Sequence, residues 1–516
     1  MKTRNNKETR ISIAVTVAAT VFCLLPGSAL AKKPAAASVF EPDPAKLEAL
    51  GKAVFFDTSL STPGNKQGCV SCHEPSVGWT FPDSEVNATQ VGNPGASPHA
   101  TGHIKPPAVS YAVFVPQFHS RDEGCRFGAP AGGRHCGGLF WDGRAEGWGS
   151  LGYPDRDPQG PLGDGAVSET VAVDDLPEVV WEQYTQFLGP LADQALNPAQ
   201  KGIEQNAGEK KICQQVKTAK YKALYEQAFG EPIDCRSSAY NTSFKRIAVA
   251  VAAYEASDEV SPFNSKRDIA LYKELACLNG QAFEGYEFDR DYCALEESVN
   301  WGRFPLAGLT DQENQGHDLF YAVTSDLNPT GKDAGCRFCH NDNPTPFSFR
   351  GPQVPGTNLD GTEPRQLYTD NAYHNIGIPY NREIPDTPKG SVVGVSGHLT
   401  SASPGFFRDP SIRNVGLGEG EDFVKAYGHN GYFKSLWQIV HFYSTRDLKT
   451  RCEELPEPIL DATVQEALDN DCWPEPEFSN PGNFGLVGIA DLTTEQEEAI
   501  VAYLKTLSDT TVAEAP

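Results

Sequence analysis

Two short runs constrain this chain more than anything else in it: Cys69-Val-Ser-Cys72-His73 and Cys336-Arg-Phe-Cys339-His340. In each, a cysteine pair with two residues between is followed at once by histidine. That is attachment chemistry for a c-type haem: both sulfurs form thioethers to porphyrin vinyl groups, and the histidine ligates the iron axially. Zinc sites and thioredoxin-like pairs also use Cys-x-x-Cys. Zinc would want two more donors at short spacing, and these pairs lie more than 260 residues apart. A redox dithiol does not require the histidine, which is present twice. Two covalently bound haem c groups are therefore the expected cofactors. The chain's only methionine is Met1. Once a leader is removed, His/Met ligation is closed to it, and any sixth protein ligand must be another residue.

Residues 1–31 read as a secretory signal. Lys2, Arg4, Lys7 and Arg10 form a basic start, an apolar run covers 11–25, and Ala29-Leu30-Ala31 offers a cleavage site. A retained anchor is the competing reading, but the run is short for a span. A soluble, exported protein is expected, in the periplasm or at the outer cell surface, with no membrane span after signal removal. The whole chain carries a net charge of −25 and the leader +3, which leaves −28. That balance argues against nucleic acid and anionic membranes as partners.

Thirteen cysteines, less Cys23 in the leader and the four haem cysteines, leave eight. They fall into local pairs, Cys125 with Cys136, Cys213 with Cys235, Cys277 with Cys293 and Cys452 with Cys472. An even number in an oxidising compartment reads as disulfides, and neighbour pairing is the simplest of the connectivities open to them.

A faint repeat runs through the chain. Gly51-Lys-Ala-Val-Phe-Phe-Asp leads to Cys69, and Gly316-His-Asp-Leu-Phe-Tyr leads to Cys336. Asp43-Pro44 reads as an N-cap with proline at the first helical position, and Thr310-Asp-Gln-Glu313 as a capping box. Further helices are expected over 244–255 and 494–507, the last with Ile500, Leu504 and Leu507 on one face toward the second haem. The fold expected is mostly α: two cytochrome c-like haem domains with long loops and disulfide-stapled insertions. The domains are 32–300, binding peroxide and carrying a helical insertion, and 301–516, for electron transfer.

Five further strings carry a resemblance: Leu50-Gly-Lys-Ala-Val-Phe-Phe-Asp57, Phe140-Trp-Asp-Gly-Arg-Ala145, Asp370-Asn-Ala-Tyr-His-Asn-Ile-Gly377, Pro410-Ser-Ile-Arg-Asn-Val415 and His429-Asn-Gly-Tyr-Phe433. In kind and order they resemble the bacterial dihaem cytochrome c peroxidase and MauG family, from about 43 to 508. The resemblance implies an enzyme that reduces hydrogen peroxide, or uses it to oxidise another protein. It implies His73 as proximal ligand of the peroxide-binding haem and His340 as that of a six-coordinate second haem. It implies Gln194, Pro198 and Glu204 beside the peroxide, since Gln194-Ala195, Pro198 and Glu204 keep the family's spacing. A carboxylate there can move a proton from one peroxide oxygen to the other, making water the leaving group. A solvated polar helix face is the bland alternative. Trp141 would carry electrons between the haems; a buried core aromatic is its bland alternative.

The second haem separates the subfamilies. At Tyr443, in Leu436-Trp-Gln-Ile-Val-His-Phe-Tyr443, ordinary dihaem peroxidases carry methionine and MauG a ligating tyrosine. A tyrosinate is a hard anionic donor that stabilises high iron oxidation states. His441 is the rival ligand. Ala334 stands where MauG has a relay tryptophan, so MauG's substrate is not carried over. Lys105 stands where the family's inter-haem calcium takes an asparagine, and its ammonium can replace the ion, which puts calcium in question. His99 or His103 lies where some peroxidases cap the resting first haem. The leading reading is a MauG-like dihaem peroxidase with hydrogen peroxide and a redox-partner or substrate protein as partners. The alternatives are a conventional cytochrome c peroxidase fed by a small donor protein, and a dihaem electron carrier without enzymatic activity.

Overall fold

The computed structural model describes residues 41–516, apart from 65, 98, 121–134, 148–170, 295–299, 301, 341–361, 398, 400, 401, 421 and 480–486. The leader read at 1–31 lies outside the described residues, as does Cys125.

Two helix crossings organise the chain. The helix Ala45–Phe55 opens where expected, although its cap is Pro44, and Asp43 Oδ1 accepts from the Ala45 amide at 3.1 Å. Leu47, Leu50, Val54 and Phe55 recur at helical spacing and are buried against the helix Ala239–Glu255, whose Tyr254 ring lies 5.4 Å from that of Phe55. The backbones meet at Gly51, where a Cβ would stand 1.8 Å from the Ala250 carbonyl oxygen. Any residue but glycine would force them apart. The second crossing repeats the first. Asp311–Tyr321 starts at the expected capping box, with the Thr310 amide 2.7 Å from the Glu313 carboxylate, and crosses Thr494–Lys505 at Gly316. A Cβ there would stand 1.9 Å from the Ala499 carbonyl oxygen. The terminal helix stops at Lys505, two residues short of the expected end, and Leu507 is still buried.

Each crossing carries its own apolar core. One gathers Leu50, Phe55, Ile212, Val216, Phe244 and Val251; the other gathers Phe320, Phe433, Leu436, Phe442, Trp473 and Ile500. Strand structure among the described residues is confined to three two-residue ladders: His119–Ser120 with His135–Cys136, Tyr373–His374 with Phe407–Arg408, and Thr450–Arg451 with Cys472–Trp473. Disulfides Cys213–Cys235, Cys277–Cys293 and Cys452–Cys472 form as neighbour pairing predicts.

A buried ionic knot explains the string at 410–415. Arg413 and Asp268, 2% and 0% exposed, meet in a two-pronged pair at 2.7 and 3.1 Å. The guanidinium also lies 4.7 Å from the Tyr111 ring centroid and 4.5 Å from that of Phe263. Removing either charge would strand the other away from water.

Candidate active site

The first Cys-x-x-Cys-His run folds as a single 3-10 turn, Cys69–Ser71, and the His73 amide donates to the Cys69 carbonyl at 3.0 Å. Both thiols are free, and burial pushes Cys72 up to about 12 and Cys69 higher still. Thiols held this high are unlike the low-lying thiol of a redox dithiol. His73 Nδ1 lies 3.3 Å from the Trp79 carbonyl oxygen, which assigns the proton to Nδ1 and the lone pair to Nε2. Burial pulls His73 down to about 4, so the ring stays neutral and able to ligate. The residues fit a covalently held haem.

A cavity of about 520 Å³ opens beside this turn, and Gln194, Pro198, Glu204 and Trp141 all line it. Gln194 lies in the last turn of the helix Gly189–Ala195. The chain then turns tightly: the Asn197 amide bonds the Gln194 carbonyl at 3.1 Å, the Gln205 amide the Pro198 carbonyl at 3.1 Å, and the Glu204 amide the Lys201 carbonyl at 3.0 Å. The long stretch between Arg144 and Gln194 does not keep the two apart, and both line the cavity. Glu204 Oε2 is buried with no partner. Burial raises its carboxyl to about 7, against the pull of Arg144 and Lys201. A carboxyl with that value exchanges protons readily at neutral pH.

The second run also folds as one turn, Cys336–Phe338, with free thiols. His340 Nδ1 is held by the Tyr368 carbonyl at 3.2 Å and lies 3.3 Å from Asp409 Oδ1. A cavity of about 210 Å³ is lined by Cys336, Cys339, His340 and Tyr443, with Ile500 and Leu504 of the terminal helix. Burial, with Asp409 and both cysteines adding, drives the Tyr443 phenol upward, so losing its proton requires a cation at the oxygen. His441 is not among the residues lining this cavity. Its Nδ1 lies 2.9 Å from Glu497 and its Nε2 2.7 Å from Lys449 Nζ, so both ring nitrogens are engaged elsewhere. His374 pairs with Asp370 at 2.9 Å next to Cys339; once that sulfur is a thioether, two metal donors of the three remain.

Trp141, Lys105 and Phe407 line both cavities. The Trp141 indole donates to the Lys105 carbonyl at 2.7 Å, and the Arg408 amide donates to the Trp141 carbonyl at 2.9 Å. Phe407 stacks on His429 at 3.6 Å, which accounts for the string at 429–433. Burial pulls Lys105 down to about 8, and burial together with Lys105 pulls Lys425 well down. Two lysine side chains at this place, which bring no oxygen donor, do not fit a calcium site. His103 lines the first cavity, its Nδ1 2.8 Å from Thr387 Oγ1, while His99 is exposed and does not. Ala334 is buried in the second cavity wall.

Two wall residues escaped the sequence reading. Glu255 ends the helix Ala239–Glu255, is 3% exposed, and has an unpartnered Oε2 in the first cavity wall. Burial raises it to about 8. The available signal was a carboxylate in register with an otherwise apolar face. Asn93 donates to Cys72 Sγ at 3.4 Å and had no signal.

Comparisons with known proteins bear on the family and the fold. Residues 45–274 match the family model described as di-haem cytochrome c peroxidase. The methylamine utilization protein MauG of Paracoccus denitrificans is 26% identical over 501 residues, covering 94% of this chain and 95% of that protein. The cytochrome-c peroxidase IdrP2 of Denitromonas iodatirespirans is 26% identical over 159 residues, 27% of this chain and 33% of that protein. The crystal structure of the diheme peroxidase BthA from Burkholderia thailandensis E264 superposes with a TM-score of 0.56 at 23% identity, covering 92% of this chain and 88% of that one. That last likeness speaks for the fold, which is mostly α.

Proposed function

Because the chain belongs to the dihaem cytochrome c peroxidase and MauG family, as a peroxidase-type oxidoreductase, we propose that it is an exported MauG-like enzyme: hydrogen peroxide reacts in the cavity beside His73, and an external protein side chain is oxidised. The observation that carries this reading is the pairing of two unlike cavities. Gln194 and Glu204, whose Oε2 is buried without a partner, line the cavity that holds His73; Tyr443 lines the one that holds His340.

Haem, when bound, supplies a redox-active iron at each site, held by Cys69, Cys72 and His73 in one and by Cys336, Cys339 and His340 in the other. Glu204 takes a proton from one oxygen of hydrogen peroxide and returns it to the other, so that water departs. The Gln194 carboxamide donates a hydrogen bond that orients the peroxide. Pro198 shapes the turn that brings Glu204 back over the cavity. Trp141 carries electrons between the sites, and Tyr443 supplies the anionic ligand of the second. Overall, hydrogen peroxide, two electrons and two protons give two waters. Residues 32–300 form the peroxide half and 301–516 the electron-transfer half. No step runs through calcium.

Three disulfides support export to an oxidising compartment, the periplasm, and no helix among the described residues is long and apolar enough to cross a membrane. Tyr443 in place of a methionine weighs against a conventional cytochrome c peroxidase, and Gln194 and Glu204 in the wall of the first cavity against a closed electron carrier. Rapid mixing of the fully ferric protein with one equivalent of hydrogen peroxide, followed into the near infrared, tests the reading. Prompt oxidation at both sites is expected. Reaction only after one haem is reduced would assign the conventional peroxidase, and no reaction in either state the electron carrier.

A further inference from the structure

A protein side chain cannot reach a buried metal site, so electrons must leave the donor at the surface and travel inward. Next to Tyr443 the described residues hold a continuous file of rings. Tyr443 and Phe442 have centroids 6.3 Å apart, and Phe442 meets Trp473 edge-on at 5.2 Å. Trp473 lies 5.9 Å from His441, which stacks on Trp437 at 4.9 Å and 11°. Phe442 and Trp473 are fully buried, whereas Trp437 is part-exposed. The file therefore begins at the second cavity wall and ends at solvent.

We propose that Trp473 and Trp437 form the electron entry of this enzyme, and that a donor protein is oxidised at the Trp437 surface. The inference rests on the peroxidase reading above. Indole is among the most easily oxidised side chains, and each ring step is short. Lys449 Nζ stands 5.9 Å from the Trp473 ring centroid, and Trp437 stacks on the His441 imidazole, which bridges that ammonium at 2.7 Å and the Glu497 carboxylate at 2.9 Å. The buried indole is also held rigidly. Its N–H donates to Thr445 Oγ1 at 3.0 Å, and the neighbouring Cys472 is stapled to Cys452. In each turnover, hydrogen peroxide takes two electrons and two protons to give two waters. Trp437 passes those electrons inward one at a time and recovers each from the donor.

The test uses the haem-loaded protein, hydrogen peroxide and ferrocytochrome c as the probe donor, with W437F and W473F variants. Unchanged formation of the peroxide-oxidised state is expected in both. The oxidation of ferrocytochrome c should slow at least about tenfold, and the peroxide-oxidised state should outlive that of the wild type. A tryptophan radical signal seen by rapid-freeze electron paramagnetic resonance should be lost in W437F. Trp437 is part-exposed, so its variant stands even where W473F fails to fold. Wild-type kinetics and an unchanged radical in W437F would overturn the entry route. Absence of any peroxide-oxidised state in the wild type would instead overturn the peroxidase reading, and the route with it.

Discussion

The Trp141 indole N–H bonds the backbone carbonyl of Lys105 at 2.7 Å, so an aromatic ring and an ammonium that each face both cavities are held as one unit. A Trp141→Phe substitution keeps a ring in place but removes that bond and the easily oxidised indole. Peroxide consumption at the first site should proceed, while oxidation of the second site slows by about tenfold or more. Stopped-flow spectra at the two haem signatures would separate the two rates; equal slowing of both would assign Trp141 a packing role alone.

Glu204 works as a base only when ionised, and burial holds it near 7. The rate of reaction with peroxide should climb as pH rises through about 7 and level off above it. Glu204→Gln should lower that rate by roughly 10²–10⁴-fold and flatten the profile. A variant that keeps the wild-type pH dependence would mean another group titrates.

Glu255 bears on stability. Its ordinary value is 4.5 and its folded value about 8, so the folded state binds the proton more tightly than the unfolded chain does. The stabilisation is complete below about 4.5 and is lost as pH rises through about 8. Glu255→Gln should leave the melting temperature less sensitive to pH across that window. Calorimetry of the haem-loaded variant at pH 5 and pH 8.5 checks the sign, and an unchanged slope would discard the linkage.

Tyr443→Met would exchange a hard anionic ligand for a soft neutral one at the second site. The reduction potential there should rise by roughly a few hundred mV, with the first site little altered. Spectroelectrochemical titration reads both; an unmoved potential would remove Tyr443 from the ligand set.

The Cys452–Cys472 bridge closes a loop with a sequence separation of 20 and anchors Trp473. Replacing both cysteines by serine should cost about 3 kcal/mol of stability. Denaturant unfolding monitored by tryptophan fluorescence would show it, and a loss below about 0.5 kcal/mol would mean the loop is held by packing.

What the sequence disclosed was local. The haem runs, the Thr310 capping box and the three disulfides each rest on residues a turn or a short loop apart, where spacing dictates geometry. The choice between His441 and Tyr443 was not of that kind. Two positions apart on one helix, they project to different sides, and only the packed neighbours reveal which side meets the cavity. Lys425 was opaque for a related reason. Nothing along the chain shows that it lies in a buried wall until distant segments close around it. The Gly51 and Gly316 crossings needed knowledge of which far-off backbone each glycine meets.

Those crossings bear on ancestry. Gly51 with Ala250 and Tyr254, and Gly316 with Ala499 and Tyr503, are the same contact made twice, each beside its own Cys-x-x-Cys-His turn. A frame copied that closely points to the doubling of a single-haem ancestor. Outside that frame the two copies differ: Gln194 and Glu204 line the first cavity and Tyr443 the second, the two walls on which the proposed division of labour rests.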